Sequence, residues 1–384
     1  MTQPLPLLHQ QPTDPAFVQN PYPFYAKAHA LGAAFHWAEY QMDCVVQYDL
    51  ARRIFSHPAF GRADPNPAKK PDHLTDFWAV EDHSMLELEA PRHPVLRKQV
   101  LRAFTSRRVR DLAPEITALA HQLIDAFPSQ PFDLLTAYAQ QIPVIVIARL
   151  LGVPDHDAPR LLAWSHDIVK MYQAQRSHAD EVAANTAAAE FSNYVQTHID
   201  AKRCTATDDL LSAMIAEEAL TGPEIVSTAI LLLNAGHEAT VHTMGNAVVA
   251  LINHACPASD PAIEEAMRFD PPLHLFTRWV YEDVILDGVA FHKGQQIALL
   301  LAAANRDPAR WDQPHRFDPS RVPQQHLAFG AGGHFCLGAP LARLELGIGL
   351  RVLFQRCPDL QLVQPPQFAD IFHFHGLDRL IVQV

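Results

Sequence analysis

The run Phe329-Gly330-Ala331-Gly332-Gly333-His334-Phe335-Cys336-Leu337-Gly338 constrains the fold of this chain more than any other stretch. A single cysteine closes a glycine-rich loop. Ala339-Pro340-Leu341-Ala342-Arg343-Leu344-Glu345-Leu346 follows and reads as a helix, with Pro340 in the first turn, where a missing N–H costs nothing. Cys336 is therefore expected at a helix N-terminus. Free N–H groups and the positive dipole end favour an anion there, which predicts a lowered thiol pKa. The glycines let the backbone approach something bulky and flat. From the residues alone, Cys336 is either a catalytic nucleophile at a helix start or a small apolar side chain. The second reading is the ordinary one for Cys44, Cys204, Cys256 and Cys357.

The run resembles the haem-binding loop of the cytochromes P-450, F-G-x-G-x-H-x-C-x-G, and matches every fixed position. The resemblance implies haem b as cofactor, with Cys336 as the thiolate ligand of its iron, Gly330 and Gly338 shaping the loop, and Phe329 packed beside the sulfur. Such a thiolate donates electron density that favours O–O cleavage. The implied fold is mainly α with a minor β region: a helical prism beside a small sheet, in one domain over residues 1–384, of the soluble bacterial type.

Motifs far from the loop carry the same resemblance. Glu265 and Arg268 lie three apart on a helix before Asp270-Pro271-Pro272, on one helical face, and can pair. They look like the family's E-x-x-R motif, whose role is structural. His93 and Arg97 resemble its H-x-x-x-R. With Arg278 and His334, they would meet the two haem propionates, since buried anions need donors.

A long helix is expected from Thr221-Gly222-Pro223-Glu224, which has the form of a capping box, to about Asn253. Within it, Ala235-Gly236-His237-Glu238-Ala239-Thr240 resembles the oxygen-activation motif A/G-G-x-D/E-T. Ala235 and Gly236 would open a groove over the iron, and Glu238 matches the acid that delivers protons. The position that is usually threonine is Ala239. Thr240 does not replace it, because one residue turns a helical side chain by about 100°. The resemblance therefore implies a monooxygenase whose proton relay uses an ordered water or a substrate hydroxyl. A hydrogen peroxide-using peroxygenase and a non-catalytic haem sensor or carrier are the alternatives.

Elsewhere, Phe35-Trp37 and Cys44-Val46 read as strands, Asp49–Phe55 as a helix, and Pro58 to about Met85 as loop. From Pro91 to about Asp200 the spacing is helical, with breaks expected at Pro131, Pro143 and Pro154. Asp287-Gly288 signals a hairpin. A net charge of −12 argues against nucleic acid. No apolar run is long enough to span a bilayer, and five scattered cysteines fit a reducing cytoplasm.

The chain carries no flavin or iron–sulfur segment, so electrons would come from a ferredoxin, or a flavodoxin, with its reductase. Arg97, Lys98, Arg102, Arg107, Arg108, Arg110 and Arg343 would form a basic patch that steers it. By family position, a small organic substrate would meet Phe77, Trp78, Met171, Tyr172, Leu233, Asn234, Leu275, Phe276 and the segment Ile371-Phe372-His373. Its polar end would fall to His274, His373 or Asn234.

Overall fold

The helix Gly222–Asn253 organises the fold. Its start is held as the sequence predicts: Glu224 accepts from the Thr221 N–H at 2.8 Å, and Pro223 sits in the first turn. Its 32 residues extend about 48 Å. Buried residues occur on nearly every face from Ile225 to Leu251, as in a helix enclosed by others. Helices Gln141–Leu151, Ala158–Val169, His178–Cys204, Asp260–Phe269 and Ala339–Arg356 surround it. The computed structural model describes residues 4–172, 176–370 and 374–384.

A six-stranded sheet stands beside the helices. Its order is Leu7–Leu8, Ala34–Trp37, Met42–Val45, Gln296–Leu300, Leu275–Val280, Phe60–Gly61. Arg278 opposite Ile297 fixes the central register, and this register carries Arg278 into the interior. The expected hairpin forms between Val284–Leu286 and Val289–Phe291, with positive φ at Asp287 (49°) and Gly288 (81°), as a tight two-residue turn requires. In a smaller sheet, Ile381–Gln383 lies between Gln361–Leu362 and Phe132–Asp133. Among the described residues, no helix is long and apolar enough to cross a membrane.

Two local expectations fail. The stretch Pro58 to Met85 is not all loop: Thr75–Glu81 is a helix. It begins beyond the last proline, and its first turn is capped from outside. Asn185 Oδ1, on the helix His178–Cys204, accepts from the N–H groups of Asp76 (2.9 Å) and Phe77 (3.0 Å). Pro143 does not break its helix either. It is the third residue of Gln141–Leu151, within the first turn, where proline is tolerated.

Candidate active site

The cysteine loop folds back on itself. Cys336 N–H donates to Phe329 O at 3.0 Å, which closes the loop and brings Phe329 alongside. Gly332 has φ +70°, and a Cβ there would stand 2.1 Å from Phe55 O, so glycine is required. The helix Ala339–Arg356 starts three residues after Cys336, with Pro340 in its first turn. The thiol pKa is raised, not lowered as expected. Burial is the largest cause, and the Gly338 N–H, Arg97, the Ala339 N–H and Arg343 offset it only in part. Desolvation outweighs the helix end until a metal ion supplies positive charge, which deprotonates a coordinating thiol outright.

Two guanidinium groups beside the loop lack counter-ions. Arg278 is 3% exposed and meets no carboxylate within ion-pair distance among the described residues. Its Nη1 donates to Thr277 O at 2.7 Å, and its guanidinium lies 4.8 Å from the Phe55 ring centre. Burial, with Arg62 nearby, pulls its pKa down to about 9. Arg97 Nη2 donates to Phe335 O at 2.5 Å and likewise meets no carboxylate among the described residues. His93 is buried and stacks on His334, with ring centres 4.0 Å apart. Burial and the charges of His334 and Arg97 lower His93 to about 4. His334 Nε2 reaches Glu89 Oε1 at 3.2 Å, a partner the sequence did not single out. A thiol near Arg97, in a loop that packs on the same Phe55 as Arg278, fits a group that brings both a metal ion and carboxylates. Ala235 is exposed midway along the long helix, between buried Asn234 and half-buried Gly236, which leaves room for a flat group.

Glu265 and Arg268 are not a solvated pair. Arg268 is 2% exposed and donates to Glu265 from Nε (2.7 Å) and Nη2 (2.8 Å). The same carboxylate accepts from Arg321 Nε (3.2 Å) and the Asp318 N–H (2.8 Å). Arg268 Nη1 also donates to Asn305 O and Pro314 O. The pair thus binds the segment leading into the cysteine loop to the helix Asp260–Phe269.

In the long helix, Glu238 has no hydrogen-bond partner among the described residues, and burial raises its carboxyl to about 7. Thr240 Oγ1 donates to Gly236 O at 3.0 Å within its own helix, so this hydroxyl does not stand in for the one Ala239 lacks. A Cβ on Gly236 would lie 3.2 Å from Ile147 Cδ1, so the missing side chain lets the neighbouring helix pack closely here.

Of the expected pocket walls, Phe77 and Leu233 are buried in the main core, and Leu275 and Phe276 sit half-buried on the strand that carries Arg278. Trp78 is half-buried, with its indole nitrogen unpartnered, and the Asn234 Oδ1 is buried without a partner, among the described residues. His274 is fully buried, and its Nδ1 lies 2.8 Å from Tyr25 Oη, so it is committed to the interior. Ile371, Phe372 and His373 lie outside the described residues. The basic patch is partly neutralised by acids far away in sequence. Arg102 pairs with Glu217 (3.6 Å), Arg108 with Asp208 (2.8 Å), Arg343 with Glu264 (2.7 Å), and Arg107 with nearby Asp111 (3.6 Å). A surface cavity of about 530 Å³ remains beside the loop, lined by His93, Pro94, Arg97, Lys98, Leu101, Arg102 and Gly333.

Comparison with known proteins bears on the whole arrangement. The family model for cytochrome P450 matches residues 256–376. The cytochrome P450 monooxygenase PikC of Streptomyces venezuelae is 39% identical, over 91% of this chain and 87% of PikC. The vitamin D(3) 25-hydroxylase of Pseudonocardia autotrophica is 38% identical, over 95% of this chain and 90% of that enzyme. Among solved structures, P450BioI in complex with a hexadec-9Z-enoic acid-ligated acyl carrier protein superimposes with a TM-score of 0.91 at 31% identity, covering 96% of this chain and 99% of that one. Likeness of this extent in both sequence and backbone leaves one conclusion: the chain belongs to the cytochrome P450 family and is a haem b-dependent monooxygenase.

Proposed function

We propose that this monooxygenase, one catalytic unit over residues 1–384, oxidises a small, mostly apolar organic substrate with electrons from a ferredoxin in the cytoplasm. A flavodoxin is the second choice of donor, and neither nucleic acid nor membrane takes part. Haem, when bound, supplies the oxidising chemistry: one atom of dioxygen enters the substrate and the other leaves as water. Cys336 would hold the iron, with Phe329 beside the sulfur and Gly330 and Gly338 giving room. Arg97, Arg278, His93 and His334 would hold the propionates, and Glu265 with Arg268 would fix the loop.

The observation that carries the reading is Glu238 beside Ala239. A desolvated carboxyl raised to about 7 holds and releases a proton near neutral pH. No side-chain hydroxyl follows it, since Ala239 has none and Thr240 is tied to Gly236 O. The last proton carrier is then a water or a hydroxyl on the substrate, positioned against Glu238. Product formed per reduced nicotinamide consumed tests this in wild type and Ala239→Thr. The variant is expected to couple no better than wild type on the native substrate, because the added hydroxyl displaces the carrier already in place. Markedly better coupling would show the wild-type site to be simply defective.

For the electron donor, exposed Lys98 and the cavity beside the loop are the supporting features. They remain after four of the seven basic residues are paired off. Reduction by ferredoxin is expected to slow steeply with added salt, and Lys98→Glu to slow it about tenfold at low ionic strength. Stopped-flow reduction rates at several salt concentrations read both effects.

A further inference from the structure

Among the described residues, two groups of three side chains have the types and spacing to ligate a metal ion, and their surroundings differ. Asp270, His274 and His375 form the first, with both histidines buried. Its members are already engaged. Asp270 accepts from Tyr22 Oη, His274 Nδ1 lies 2.8 Å from Tyr25 Oη, and His375 stacks on Phe368 with ring centres 3.8 Å apart. The charge of Arg306 also faces both histidines, which sets this group against a cation.

His73, His178 and Glu181 form the second. His73 belongs to the single turn Asp72–Leu74, which leads directly into the helix Thr75–Glu81. His178 and Glu181 are the first and fourth residues of the helix His178–Cys204 and so share one face of it. Glu181 is 108 residues from His73 in sequence, yet its Oε2 lies 2.8 Å from His73 Nε2 and 3.7 Å from His178 Nδ1. All three ligand atoms fall within 4.8 Å of one another. Ligands about 2.0–2.1 Å from a tetrahedral zinc ion stand roughly 3.3 Å apart, so small side-chain rotations seat an ion among these three. The ion takes the place of the proton that His73 Nε2 now shares with Glu181, and a neutral His73 then carries its proton on Nδ1.

The elements that carry the ligands are already held. Asn185 caps the helix Thr75–Glu81 and also donates from Nδ2 to Asp76 Oδ2 at 3.0 Å. A capping box of Ser177 and Asp180 fixes the start of the longer helix. Arg176 Nε donates to Glu181 Oε1 at 3.1 Å, which orients the carboxylate and leaves Oε2 to the imidazoles. That guanidinium and the helix N-terminus repel a cation, and the charges of Asp180 and Asp72 act against them. His178 keeps 74% of its side-chain surface accessible and His73 36%, so an ion reaches the group from solvent. Two imidazoles and one carboxylate suit a borderline divalent ion such as zinc, whereas magnesium and calcium take oxygen ligands.

We propose that His73, His178 and Glu181 form a binding site for a divalent transition-metal ion of the zinc class, which clamps the turn before the helix Thr75–Glu81 to the start of the helix His178–Cys204.

Tag-free holoenzyme, cleared of loose metal with a chelator, is titrated with zinc chloride by calorimetry, with magnesium chloride as the control. Wild type is expected to take up one zinc equivalent more than His73→Ala or His178→Ala. Glu181→Gln is expected to weaken that site at least about tenfold, the least that losing even an outer partner of a metal ligand costs. Hydrogen exchange of residues 72–81, read by mass spectrometry, is expected to slow in wild type on adding zinc and to stay unchanged in His73→Ala. Zinc uptake that His73→Ala and His178→Ala leave intact, magnesium binding as tight as zinc, or exchange in residues 72–81 that zinc does not slow would each overturn the proposal. The exchange arm needs wild type alone, so the test stands even if a variant misfolds.

Discussion

Glu265→Ala is expected to lower the unfolding free energy by about 3–5 kcal/mol, the cost of removing one partner from a buried ion pair. The magnitude follows from what stays behind. Arg268 is 2% exposed, and Arg321 donates to the same carboxylate, so one deletion leaves two guanidinium groups facing each other without an anion. The Asp318 N–H loses its acceptor as well. A domain has only ~5–15 kcal/mol in hand, so the loss is a large fraction of the total. Urea unfolding followed by far-UV circular dichroism reads the change. Arg107→Ala is the control: its pair with Asp111 is solvent-exposed, and the midpoint should stay where it is. A Glu265→Ala protein as stable as wild type would mean that the pair is replaceable packing.

Cys336→Ser is expected to abolish the red-shifted Soret band of the reduced, carbon monoxide-treated enzyme while leaving the far-UV spectrum unchanged. A serine hydroxyl is a harder, far less acidic donor than a thiol and gives no comparable thiolate push. The fold should tolerate it, because the contacts that shape the loop are made by the backbone: Cys336 N–H to Phe329 O, and Gly332 against Phe55 O. A variant that keeps the wild-type band would remove Cys336 from the iron and with it every role assigned to the loop.

The parts legible from the sequence are those whose cause is local. The capping box at Thr221 and Glu224, the Asp287-Gly288 turn and the proline after Cys336 each act within four residues, and each lies where expected. What was missed depends on partners remote in the chain. Helix Thr75–Glu81 is capped by Asn185, 109 residues from Asp76. Arg108 loses its free charge to Asp208, and Arg343 to Glu264. The Cys336 thiol was expected to be acidic from its helix end, but its burial depends on how the whole molecule closes over it. His274 looked like a substrate contact by position, and Tyr25 claims it.

The small sheet has a consequence for how the protein is made. Phe132–Asp133 pairs with Ile381–Gln383, and Asp133 Oδ1 accepts from the Leu380 N–H across 247 residues. At ~5–20 residues per second of synthesis, the earlier strand waits roughly 12–50 s for its partner. Throughout that interval a nascent chain presents Phe132 and its neighbours as an unpaired edge, open to other chains. Expression yield should therefore respond to chaperone supply and growth temperature more than the finished enzyme's stability would suggest.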